Sequence, residues 1–123
     1  MSTTPTTADQ LADLRKKIDE FSEARDWGKF HTPKNLSMAL SVEVAELMEH
    51  FQWQDGTEAF ADLPEQRKEA VTHEVADVFI YLMRLCSVTG IDPLKAAEDK
   101  LKLNDAKYPA SLVKGKSNKF TDY

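Results

Sequence analysis

Four glycines and five prolines are spread among 123 residues, and they fall between long segments in which apolar side chains recur every three or four positions. That period is the signature of an amphipathic α-helix, and no stretch shows the alternation of a half-buried strand, so the chain is expected to be all-α. Thr7 and Gln10 have capping-box spacing and open a first helix with the stripe Leu11, Leu14, Ile18 and Phe21, which should end near Trp27-Gly28. Thr32-Pro33 pairs an N-cap with a first-turn proline and starts a second helix carrying Leu36, Leu40, Leu47 and His50. A third is expected from about Pro64 to Val88 with Gly90 as its stop, and a fourth from Asp92-Pro93 to Tyr108-Pro109. Four helices with short connections imply an antiparallel four-helix bundle, here one domain over 1–123 with a helical core of about 7–109 and a flexible tail, 110–123.

Two acidic pairs break the apolar pattern. Glu43 has Leu36, Ala39, Leu40 and Leu47 at helical spacing, with Glu46 one turn on; around Glu74 and Asp77 the same spacing collects Ala70, Val71, Val78, Ile80 and Tyr81. Acids on such faces are expected to be buried, and an ionised carboxylate taken out of water without a partner costs several kcal/mol. Two i, i+3 pairs on facing helices would offer oxygen ligands alone, which suits a hard divalent cation, and the absence of a cysteine cluster speaks against structural zinc. The other reading is a buried ion-pair network with Arg67, Lys68 or Arg84, and spacing favours the cation.

Composition narrows the classes. With 41% apolar and 30% charged residues the chain reads as one soluble globular domain, and a net charge of −5 argues against general nucleic-acid or anionic-membrane binding. No signal peptide or transmembrane run is evident, and the single Cys86 forms no internal disulfide, so a reducing cytoplasm is expected.

Other patterns have two readings each. Lys100, Asn104 and Lys107 make a polar stripe that could meet phosphates or simply face solvent. Trp27, Phe30, His31, Trp53 and Tyr81 flank the acidic helices and could stack on a flat base or pack the core. The segment ASLVKGKS, 110–117, approaches a phosphate-binding loop but has alanine at its first glycine position and lacks the preceding strand, so it is rejected as one. His50 and His73 are each four residues from an acid, and neither makes the Glu-x-x-His pair that a di-iron bundle needs.

Taken in order, RDWGKFHTPKNL (25–36), EVAELMEHFQW (43–53), EVADVFIYL (74–82) and KLKLNDAKYP (100–109) resemble the all-α nucleoside triphosphate pyrophosphatases of the MazG-like group, in particular its dCTP pyrophosphatase branch. The resemblance spans nearly the whole chain. It implies Mg²⁺-dependent (or Mn²⁺-dependent) hydrolysis of a nucleoside triphosphate, dCTP or a modified dCTP first among them, to monophosphate and pyrophosphate in the upkeep of nucleotide pools. It also implies Glu43, Glu46, Glu74 and Asp77 as metal ligands and catalytic acids, Trp27, His31, Trp53 and Tyr81 as a base and sugar pocket, and Lys100, Asn104 and Tyr108 as further nucleotide contacts. Relatives of this kind are generally homotetramers with sites shared between subunits. One departure is Ile18, where some dCTP-hydrolysing relatives carry a histidine. Two other readings compete: a helical nucleotide-binding or adaptor module without turnover, and a di-iron carboxylate bundle.

Overall fold

A computed structural model of the chain describes residues 3–117 and Thr121. It is all-helical: α1 spans Thr7–Ala24, α2 Pro33–Glu49, α3 Glu65–Thr89, α4 Pro93–Lys107 and α5 Ala110–Val113, with a 3₁₀ turn at Phe60–Asp62. No strand occurs among the described residues. The chain divides into two compact units, Met1–Gly90 and Ile91–Tyr123, so α1, α2 and α3 belong to the first and α4 and α5 to the second.

Each long helix begins where its sequence supplies a cap. The Thr6 hydroxyl accepts from the backbone N–H of Asp9 at 3.1 Å and the Asp9 carboxylate accepts from that of Thr6 at 3.1 Å, a reciprocal capping box one residue before the expected Thr7 and Gln10 pair. Thr32 caps α2 through Asn35 at 3.1 Å with Pro33 in the first turn, and Asp92 caps α4 ahead of Pro93.

The ends are equally local in origin. Gly90 closes α3 with φ 73°, a left-handed position that costs glycine nothing. The first helix stops at Ala24, earlier than Trp27-Gly28, because Asp26 adopts φ 54° while the N–H groups of Asp26 and Trp27 return to Glu23 and Ser22. Those two bonds form a Schellman closure with aspartate in the usual glycine place. The 4-residue α5 takes up the start of the segment expected as a loose tail, residues 114–117 and Thr121 are outside any α-helix, and the rest of that tail lies outside the described residues.

In the first unit α3 packs against both α1 and α2. Ile18 from α1 meets Met83 and Cys86 from α3, with Leu11 against them, so the thiol is a core group as its apolar setting predicts. Leu36 of α2 is 1% exposed and Val71 of α3 is buried. Leu14 and Phe21, expected in the α1 stripe, are more than a third exposed; one stripe on one neighbouring helix is narrower than four apolar positions. Replacing Leu36 by Ala should cost about 2–5 kcal/mol, the range for emptying a fully packed leucine site, and Thr32→Ala about 1 kcal/mol through the lost cap. Urea unfolding followed by circular dichroism would read both, and equal costs would contradict the ranking.

Candidate functional site

The contact between α2 and α3 brings the acidic pairs together. Carboxylate oxygens of Glu43, Glu46 and Glu74 lie within 4.8 Å of one another. Asp77 is near enough for its charge to raise the Glu43 pKa. The three glutamates are half-buried, as their apolar surroundings predict, while Asp77 is exposed. One oxygen each of Glu43 and Glu74, Oε2, is fully buried and meets no hydrogen-bond donor. Such orphaned acceptors are expensive unless a cation completes them.

The ion-pair alternative is not realised by the cations proposed for it. Arg84 pairs with Asp19 at 2.8 Å, Lys68 with Glu65 at 3.0 Å, and Arg67 donates to the His50 carbonyl. The donor set of the acid cluster is therefore oxygen alone, with two buried oxygens that no donor meets, and it fits a hard divalent ion.

Electrostatics point the same way. The Glu43 carboxyl is pushed up to about 7, by burial first and then by the hydrogen-bonding and charge of Glu46, the charge of Asp77 and the contact with Glu74. Like charges gathered in a partly dry site hold a proton that water would have removed.

Beside this cluster a cavity of about 340 Å³ opens between α1, the α1–α2 connection and α3. Trp27, His31 and Tyr81 line it together with Phe21, Ile18 and Ser22 from α1, and Ile80, Asp77 and Arg84 from α3, while Lys17 stands among the lining residues. Asp77 belongs to both the cavity wall and the acidic neighbourhood, so the two halves adjoin there.

The aromatic rings are held by the connection itself. The His31 N–H returns to the carbonyls of Trp27 and Gly28, and the Asn35 side chain donates to the Phe30 carbonyl at 2.9 Å. Trp27 stands edge-on to Phe21 with ring centres 5.7 Å apart and 6.2 Å from His31.

The remaining expected residues belong to other elements. Trp53, 88% exposed, sits in the α2–α3 connection and is not part of the cavity wall. Lys100, Asn104 and Tyr108 lie on or at the end of α4 in the second unit, with Asn104 half-buried. Motif reasoning did not pick out Arg84 as a cavity residue, nor Asp19 as its partner. The legible signal was a lone arginine within the apolar run Leu82-Met83-Arg84-Leu85-Cys86.

A helical scaffold that gathers carboxylates from two neighbouring helices, with an aromatic cavity alongside, is the class of protein these observations define. Residues 38–123 match the model of the MazG-like family, and the chain belongs to that family. It is 40% identical over 113 residues to dCTP pyrophosphatase 1 of Mus musculus and 39% identical over 113 residues to that of Homo sapiens. Each match takes in 91% of this chain, which spans 66% of the length of those relatives. Among solved structures it resembles a pyrophosphatase from Archaeoglobus fulgidus with TM-score 0.75 and 41% identity, covering 89% of this chain and 98% of that one.

A pH dependence follows from the raised Glu43 pKa. The folded protein binds that proton more tightly than the unfolded chain, whose glutamate titrates near 4.5, so this group's contribution to stability is complete below about 4.5 and is lost as pH rises through about 7. In EDTA the melting temperature should fall from pH 5 to pH 7.5, Glu43→Gln should flatten that slope, and adding Mg²⁺ at pH 7.5 should recover the loss, since the ion binds only the folded site. Equal slopes for the two proteins in differential scanning fluorimetry would refute the assignment to Glu43.

Proposed function

We propose that the chain is a Mg²⁺-dependent nucleoside triphosphate pyrophosphohydrolase that converts dCTP or a modified dCTP to the monophosphate and pyrophosphate, serving to clear unwanted nucleotides from the pool. The observation that carries this reading is the junction at Asp77 of an orphaned carboxylate cluster with a cavity walled by aromatic rings. The names of the relatives, dCTP pyrophosphatase 1 in mouse and human, supply the reaction and the base.

Glu43, Glu46, Glu74 and Asp77 would hold the cation, with Mn²⁺ able to replace Mg²⁺ in an all-oxygen site. When bound, the ion would neutralise triphosphate charge and orient a water towards phosphorus. Trp27 and Tyr81 give the base a flat apolar seat beside the acids, and His31 offers a polar contact in the same wall. Ile18 presents no hydrogen-bonding group where it lines the cavity, so base selection falls to the other wall residues. Trp53 would close over the base, and Lys100, Asn104 and Tyr108 would supply contacts to phosphate and sugar. Water adds to phosphorus, the bond between the α- and β-phosphates breaks, and pyrophosphate leaves.

We also read the chain as a homotetramer of the cytoplasm. Met38 and Val42, one turn apart on α2, and Leu101 and Leu103 on α4 are each more than half exposed, as is Trp53, and apolar side chains left open in this number favour association. No helix among the described residues is long and apolar enough to cross a membrane.

The purified protein incubated with a panel of ribo- and deoxynucleoside triphosphates should release monophosphate and pyrophosphate only when Mg²⁺ is present, fastest with dCTP, as separated by ion-exchange chromatography. Glu46→Gln should keep the helical circular dichroism and lose about 100-fold or more of the rate, at least the scale seen when groups behind metal ligands are removed. A fully active Glu46→Gln protein would sink the ligand assignment, and binding without product would leave a nucleotide-binding module. Light scattering after size exclusion should give four times the chain mass.

A further inference from the structure

Among the described residues Arg84 is one of two buried polar or charged residues, and it is only 9% exposed. Its Nη1 donates to Asp19 Oδ1 at 2.8 Å, and its Nε donates to His31 Nδ1 at 2.9 Å. The second oxygen of Asp19 accepts from the Ser87 hydroxyl at 3.0 Å, so a carboxylate on α1 is gripped from α3 at both oxygens. The backbone passes close by: a Cβ on Gly28 would come within 4.0 Å of Arg84 Nη2.

A guanidinium stays protonated at any pH a protein survives and has no acceptor to offer. The ring nitrogen it meets must therefore present a lone pair, and the one proton of a neutral imidazole then sits on the opposite nitrogen. The charged groups around the ring are Arg84 and Asp77 from α3 and Lys17 and Asp19 from α1. Asp19 is already engaged by Arg84 and Ser87. Burial, and then the charge of Arg84, hold the His31 pKa below its ordinary value, which keeps the ring neutral near pH 7.

We propose that Arg84, anchored by Asp19 and Ser87, is a positioning residue that fixes His31 as an Nε2–H donor for the ligand of the adjoining cavity. The cavity then selects a base with an acceptor at that contact, a ring carbonyl oxygen or an unprotonated ring nitrogen. The proposal rests on the nucleotide reading of the cavity, and it adds the residues that set its hydrogen-bonding sense. A network that merely ties α1 to α3 would fix the same tautomer but would need no response of the ring to ligand.

The tautomer can be read in the unaltered protein and without turnover, with one variant used only for assignment. The chain has 3 histidines, so a long-range ¹H–¹⁵N correlation of the imidazoles in ¹⁵N-labelled, metal-free protein at pH 7.5 is simple, and His31→Phe assigns the His31 signals by their disappearance. We expect His31 with Nε2 protonated and Nδ1 bare, and a shift of its Nε2 resonance when dCMP is added. A ring protonated on Nδ1, a doubly protonated ring, or an Nε2 resonance unmoved by saturating dCMP would overturn the proposal. Arg84→Met should release the ring into exchange between tautomers and raise the KM for dCTP about tenfold, the scale of one lost hydrogen bond, with Arg84→Lys recovering part of it. A folded Arg84→Met protein that keeps the single Nε2–H tautomer would equally overturn it. Because the spectrum needs no catalysis, an Nε2–H ring that responds to dCMP in a protein hydrolysing no triphosphate supports the positioning role and rejects only the pyrophosphohydrolase reading.

Discussion

Carboxylates that repel one another are held together by the packing of α2 on α3, and much of the first unit can be understood as what that gathering requires. Glu43, Glu46 and Glu74 converge in a half-dry space, two of their oxygens without a donor. Apolar burial on the same two helices, Leu36 on α2 and Val71 on α3, has to exceed the repulsion that would push the helices apart. The proton retained on Glu43 to about pH 7 is the signature of this strain, and a cation relieves it more completely than a proton can. Structure and chemistry are coupled here: the charges that make the site useful are those that make the empty fold less comfortable.

Helix α3 is the common member of both halves of the site. Along its 25 residues it supplies Glu74 to the acid cluster, Asp77 to the junction, Ile80 and Tyr81 to the cavity wall and Arg84 to the grip on α1. These positions advance by three or four residues, so they follow one side of a single helix. A nucleotide laid along that side would meet charge at one end and flat apolar surface at the other, the order in which its own phosphates and base are arranged. The short α1–α2 connection sets Trp27 and His31 opposite, locked by the Schellman closure at Asp26 and by the Asn35 bond to Phe30.

Membership of the MazG-like family and the likeness to dCTP pyrophosphatase 1 agree with this arrangement. The sense of the contact between Arg84 and His31 follows separately, from donor and acceptor rules. Burying a guanidinium is costly unless its donors are met, and here a carboxylate and an imidazole meet two of them. The consequence is that His31 can approach a ligand only as a donor.

Much was legible in the residues themselves. Sparse glycine and proline with a helical period gave the all-α class; Thr32-Pro33, Gly90 and Asp92-Pro93 marked helix ends to within a residue, because caps act over one turn. The i, i+3 acids announced a cluster by standing among leucines and valines, where charge has no local reason to be. What sequence could not decide was which helices meet. Only the tertiary structure sent Arg84 to Asp19 and His31 rather than to the acids, left Leu14 and Phe21 more than a third exposed, placed Asp77 at an exposed junction and kept Trp53 out of the cavity wall. Helix formation is governed by neighbours within four residues, whereas Arg84 and Asp19 stand 65 positions apart, and their meeting depends on how whole helical faces fit.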